Sequence, residues 1–193
     1  MLLVIDWSLL LEKLLLIVLV VTIALVFAMY STYAERKVAA ILQDRRGPNR
    51  AGPFGILQPF ADAIKLFSKE DIIPSHANKV LFVIGPGLAM LAALMTSAVI
   101  PWGDRIEIFG RSIQLQIADL NIAILYVFGV VALGVYGIMI GGWASNNKFS
   151  LLSALRGASQ NISYELAMGL SIIALVMISG SLSLKDIVLQ QQD

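Results

Sequence analysis

The chain has 193 residues, 58% hydrophobic and 14% charged, with a formal net charge of +1 and a mean hydropathy of +0.82. Soluble domains carry roughly a quarter of their residues as charges, so this composition points to a lipid bilayer as the solvent, and no basic tract interleaved with aromatics points to nucleic acid. Cysteine is absent, which excludes disulfides, thiolate metal ligands and cysteine-held iron–sulfur clusters from this chain and leaves any redox centre to a partner.

A span of the hydrocarbon core takes about 20 apolar residues, and four runs are long enough, at about 14–34, 80–101, 118–143 and 161–180. The first is too long for a signal-peptide core, is preceded by Glu12 and Lys13, and has no small-residue cleavage pattern after it, so it reads as a spanning helix. The second contains Gly85, Pro86 and Gly87, which membrane helices tolerate better than soluble ones. In the third, Gly134, Gly137 and Gly141 fall near one helical face, where small residues let two backbones approach. The fold class is therefore all-α: one polytopic membrane domain over 1–193 with four transmembrane helices and one interfacial amphipathic helix. No internal repeat is evident, which argues against a transporter built from inverted repeats. Lys and Arg number ten in segments 35–79 and 144–160 against four elsewhere, so the positive-inside rule turns the long first loop inward and the N-terminus outward.

That inner loop is the most informative part of the chain, because Glu35 to Pro74 holds twelve of its twenty-seven charges. Lys37 suits a topogenic charge cluster. A carboxylate at Glu35 adds nothing to such a cluster and needs a partner, which adjacency to Arg36 does not supply, since neighbouring helical residues point apart. Arg45, Arg46 and Arg50 lie in RRGPNRAGPFG, where Gly and Pro dictate a folded turn. With no Walker pattern present, the arginines read as a docking surface for a partner or for lipid headgroups. From 56 to 69, Ile56, Phe60, Ile64 and Phe67 mark one helical face and Gln58, Asp62, Lys65 and Lys69 another. A helix this short lies in the interface plane. Asp62 gains nothing from an anionic lipid surface, so its face is expected to border a polar cavity, with Lys65 three residues on as its partner.

Glu165 stands just inside the fourth span. A charged acid at mid-membrane costs about 2.5–3.5 kcal/mol on insertion scales, so such groups face cavities or partners and mark ion pathways by default; the alternative is a first-turn acid stabilised by the helix dipole. Arg156 lies in SLLSALRGASQ, whose small and polar residues suit a wet cavity, although membrane topology alone also accounts for it. Asp119 reads as a cap or outer-side residue of the third span, and His76, in a loop beside Pro74 and Ser75, as a surface residue.

Three segments carry a family resemblance: AERKVAAILQDRRGPNRAGPFGILQPFADAIKLFSKED, ADLNIAILYVFGVVALGVYGIMIGGWASNNKFSLLSALRGASQNISYE and ISGSLSLKDIV. In order from about residue 30 onward, the chain resembles the H subunit (mitochondrial subunit 1) family of proton-translocating NADH:quinone oxidoreductase, respiratory complex I. The resemblance implies a membrane subunit at the junction with the peripheral redox arm, helping to form the chamber in which quinone is reduced. It implies quinone as substrate, no cofactor bound by this chain, FMN and iron–sulfur clusters in partner subunits, and other peripheral and membrane-arm subunits as partners. By position it places Glu35, Arg36, Asp62 and Arg156 at the quinone chamber, where Lys65 is expected to join them as the neighbour of Asp62, Glu165 on the acidic proton path, and the turn carrying Arg45, Arg46 and Arg50 at the docking surface for the peripheral arm. The expected location is the bacterial plasma membrane, with the mitochondrial inner membrane as the alternative.

The family's pattern continues beyond this chain through an acidic inner loop and further spans, so a partial subunit, or one half of a split one, is expected. Two other functions fit parts of the same pattern: the membrane anchor of a related membrane-bound hydrogenase, and a purely structural anchor for the redox arm.

Overall fold

An apolar run with no internal Pro or Gly folds as a single helix, α1 (Trp7–Leu42), of 36 residues. At 1.5 Å per residue it is about 54 Å long, against a hydrocarbon core of about 30 Å. The helix does not end where the charges begin. Glu35, Arg36 and Lys37 lie inside it, and it stops only where Asp44 takes a left-handed φ of 48° and the Arg45 N–H closes on the Ala40 carbonyl at 2.9 Å. Charge sets where the chain leaves lipid, whereas helix termination needs a residue that tolerates the left-handed turn.

The computed structural model describes residues 7–108 and 111–191, which fall into two compact units, Val18–Ile72 and the remainder. In Val18–Ile72, α1 gives way to a turn, a short 3-10 segment at Pro53–Gly55, and α2 (Gln58–Phe67), in which Pro59 sits in the first turn, where its missing N–H costs nothing.

The other unit contains α3 (Lys79–Thr96), the two-stranded antiparallel hairpin of β1 (Arg105–Ile108) and β2 (Arg111–Gln114), α4 (Ala123–Ala144), α5 (Lys148–Ser179) and α6 (Leu184–Leu189). Asn78 caps α3 by accepting the Leu81 N–H at 3.3 Å, and Asn147 caps α5 by accepting the Phe149 N–H at 2.9 Å. Among the described residues, four helices are long and apolar enough to cross a membrane: α1, α3 with its 3-10 extension to Val99, α4 and α5. The segment 144–160, read from its charges as an inner loop, shrinks to three residues, because Asn146 takes a left-handed φ of 48° and Asn147 restarts the helix at once. The hairpin was not expected from the sequence and adds a small element to the helical class. Its register pairs Ile106 with Ile113 and Glu107 with Ser112, and the alternation RIEI and SIQL is its sequence signature.

Glycine positions the membrane helices of this unit. A Cβ on Gly85 of α3 would lie 2.8 Å from the Gly141 Cα, and one on Gly137 of α4 would lie 2.7 Å from the Gly85 carbonyl oxygen. Across the next contact, a Cβ on Gly142 would run into Ala154 of α5. Ala92, Ala144, Ala154 and Ala158 are buried, so the helices meet through small side chains, as membrane helices must when lipid and side chain are equally apolar.

Gly137→Ala is expected to destabilise the protein by about 1–3 kcal/mol through overpacking. Gly129→Ala, where a Cβ meets nothing within 4 Å, should be neutral or stabilising by up to about 1 kcal/mol on helix propensity. In Val18–Ile72, Gly55→Ala combines a φ of 82° with a Cβ that overlaps the Pro48 carbonyl, and a loss of about 1–3 kcal/mol is expected. Thermal unfolding in detergent, followed by circular dichroism, ranks the three.

Candidate functional site

Two groups of polar side chains stand out, one in each unit. In Val18–Ile72, residues Tyr30, Tyr33, Arg36, Lys37 and Ala40 recur at three- and four-residue steps along α1 and share a face. The Tyr33 hydroxyl donates to the Phe54 carbonyl at 2.8 Å, Tyr30 meets Phe60 edge-to-face at 6.4 Å between centroids, and the Lys37 ammonium lies 5.5 Å from the Tyr33 ring centroid. Phe54 holds a left-handed φ of 57° and Gly52 one of 71°, which folds the arginine turn back. Ala40 is buried, and a Cβ on Gly47 would come within 3.3 Å of the Ala40 Cβ.

This turn sets α2 beside the exit of α1 and brings the two helices together through an ion pair. Arg36 Nη1 donates to Asp62 Oδ2 in an ion pair, and Gln58 Nε2 donates to Asp62 Oδ1 at 3.0 Å. Both carboxylate oxygens are thereby occupied. The Gln58 amide first and the Arg36 guanidinium second hold the Asp62 carboxyl below its ordinary value of 3.8, against a smaller opposing effect of desolvation, and Lys65 adds a longer-range pull.

The expected partner of Asp62 was Lys65; the structure supplies Arg36 and Gln58 instead, because the fold brings α1 to Asp62 while Lys65 remains exposed. Gln58 was visible on the polar face of the helix without an assigned role. Its place four residues before Asp62 was the available signal. Glu35 is exposed and has no ion pair among the described residues, so the structure does not bring it to the Arg36–Asp62 contact. Arg45 donates to the Gln43 side chain at 2.7 Å, while Arg46 and Arg50 project from the turn as exposed cations. The apolar face of α2 is open, with Phe67 93% exposed.

The second group is centred on Glu165, on α5. It lines a cavity of about 300 Å³ with Ala89, Thr96, Gly134 and Tyr164 from α3, α4 and α5, and a separate apolar cavity of about 370 Å³ with Leu125, Phe128 and Leu170. Its Oε1 is buried and has no hydrogen-bond partner among the described residues, an arrangement that costs free energy and therefore calls for an explanation. Arg156 lies nine residues earlier on the same continuous helix, and at 100° per residue the two point to opposite sides. Arg156 is exposed. Asp119 is not a cap: α4 starts at Ala123, and Asp119 instead pairs with Lys185 of α6 at 3.0 Å. His76 is an exposed turn residue.

Residues 14–193 match the family described as NADH dehydrogenase. The chain is 66% identical over 182 residues to an H subunit of NADH-quinone oxidoreductase from Cytophaga hutchinsonii, covering 94% of this chain and 53% of that protein. It is 64% identical over 186 residues to the H subunit of the same enzyme from Flavobacterium johnsoniae, covering 96% and 53%, and 51% identical over 176 residues to an H subunit from Geobacter metallireducens, covering 91% and 54%. The chain thus spans about half the length of the curated relatives it matches. With its four membrane-crossing helices and a family match over nearly its whole length, this integral membrane chain belongs to the NADH dehydrogenase family that contains the H subunits of NADH-quinone oxidoreductase.

Proposed function

We propose that this chain is part of the membrane subunit of a proton-translocating NADH:quinone oxidoreductase, where it helps to form the quinone chamber and the start of an acidic proton path. The observation that carries this reading is the Arg36–Asp62–Gln58 cluster, a fully engaged carboxylate between the same two helices, α1 and α2, that form the Tyr30–Phe60 aromatic contact, with the apolar face of α2 open. A quinone needs such a combination: apolar and aromatic walls for its ring and tail, and a few fixed polar groups for its carbonyl oxygens. Asp62 serves as a fixed anion that keeps the Arg36 donor oriented, while Glu35 and Lys65 are assigned to the chamber as chain neighbours of that pair and Arg156 by the family resemblance alone. Arg45, Arg46 and Arg50 present a cationic turn to the peripheral arm, whose subunits hold FMN and the iron–sulfur clusters.

Glu165 is the proton-carrying group in this reading. A carboxyl whose Oε1 lacks a partner among the described residues, on a helix lining a cavity, has room to accept a donor when quinone chemistry next to the membrane changes the local charge. The bacterial relatives support a place in the inner membrane.

In the complete complex, Asp62→Asn and Glu165→Gln are each expected to lower NADH-driven quinone reduction about tenfold or more, while NADH oxidation by an artificial acceptor that bypasses quinone stays normal. Normal quinone reduction and proton pumping in both assembled variants would leave only a structural anchor for the redox arm. The pH dependence of Asp62 follows from its lowered folded-state value. Its contribution to stability is full above 3.8 and disappears as the pH falls through the lower folded value. Thermal midpoints of the wild type and Asp62→Asn should therefore differ at pH 7 and converge in acid below 3.8.

A further inference from the structure

Arg36 reaches Asp62 from another element and takes Oδ2; Gln58 reaches it from one helical turn earlier and takes Oδ1. The two donors differ in what they can fix. An ion pair to one oxygen leaves the carboxylate free to rotate about its own axis, and a second, independent donor on the other oxygen removes that freedom. Gln58 is well suited to the task because its own position is fixed: it is the first residue of α2, followed by the buried Pro59, and the Leu57 N–H before it is anchored on the Ala51 carbonyl at 3.0 Å. The direction of the amide also follows from the charge of its partner. An ionised carboxylate accepts only, so Nε2 faces Asp62 and the amide oxygen turns away.

We infer that Gln58 is a positioning residue of the quinone site, setting the orientation of the Asp62 carboxylate and, through it, of the Arg36 guanidinium. This rests on the proposed quinone role of Asp62 and adds to it a residue that acts only through Asp62. The alternative, that Gln58 merely fills space at the start of α2, predicts that a side chain of the same length without a donor works equally well.

The discriminating variants are Gln58→Met, which keeps length and helix propensity but removes the N–H, Asp62→Asn, and the two combined, each in the assembled complex. Gln58→Met is expected to lower kcat/KM for a short-chain quinone about three- to tenfold, the range for loss of one ordinary net hydrogen bond, with artificial-acceptor NADH oxidation unchanged. In the Asp62→Asn background the same substitution should have no further effect. At neutral pH, the infrared carboxylate band that Asp62→Asn deletes should shift in Gln58→Met, a change that space-filling alone does not produce. Normal quinone kinetics in Gln58→Met alongside impaired Asp62→Asn would overturn the role of Gln58 and leave the quinone reading standing. Additive losses in the double variant or an unmoved infrared band would overturn it as well. Normal kinetics in Asp62→Asn would sink the quinone role of Asp62 and, with it, this inference.

Discussion

Absence of water in hydrocarbon is the constraint from which the rest of this molecule follows. Every backbone N–H and C=O must be satisfied within its own segment, so the apolar runs become helices. Hydrophobicity then cannot hold those helices together, because lipid offers the same apolar environment. What remains is close packing, and in the unit containing α3, α4 and α5 it is achieved by removing side chains: Gly85 faces Gly137 and Gly141, and Gly142 faces Ala154. The same sparse packing leaves cavities between the helices, and Glu165 lines two of them. A larger residue at the glycine positions would push apart the helices whose spacing defines the space around that carboxyl.

The unit Val18–Ile72 solves a different problem, the passage from lipid to water. Its turn uses left-handed backbone at Asp44, Gly52, Phe54 and Gly55 to reverse the chain, and hydrogen bonding by Tyr33 secures the reversal. The consequence is chemical. Arg36, near the end of α1, meets Asp62 in the short amphipathic helix α2, so a short-range ion pair joins two residues 26 positions apart in the chain. Without the reversal Asp62 would keep only its local neighbours Gln58 and Lys65, and neither the ion pair nor the Tyr30–Phe60 contact between α1 and α2 would exist.

Local periodicity made much of this legible. The apolar runs, the amphipathic spacing of Ile56, Phe60, Ile64 and Phe67, and the glycine face of α4 all follow from residues a few positions apart on one helix, where geometry is fixed by the 3.6-residue turn. The hairpin was also written in the chain, as alternation around Ile106 and Ile113, but a short period-2 signal is easily lost among charged loop residues. Helix ends were less readable because charge and helix termination are separate matters: Glu35 marks a change of solvent, and Asp44 and Asn146 mark changes of backbone.

By itself, the sequence determined the solvent, the helical class, the amphipathic segment and the residues able to carry chemistry, because each depends on composition or on spacing within one element. Tertiary structure alone decided how those residues are joined. It brought Arg36 to Asp62, left Glu35 exposed, and tied Asp119 to Lys185. Ion pairs and cavities arise where separate elements meet, and the distances that govern them are set by glycine contacts and left-handed turns rather than by position along the chain.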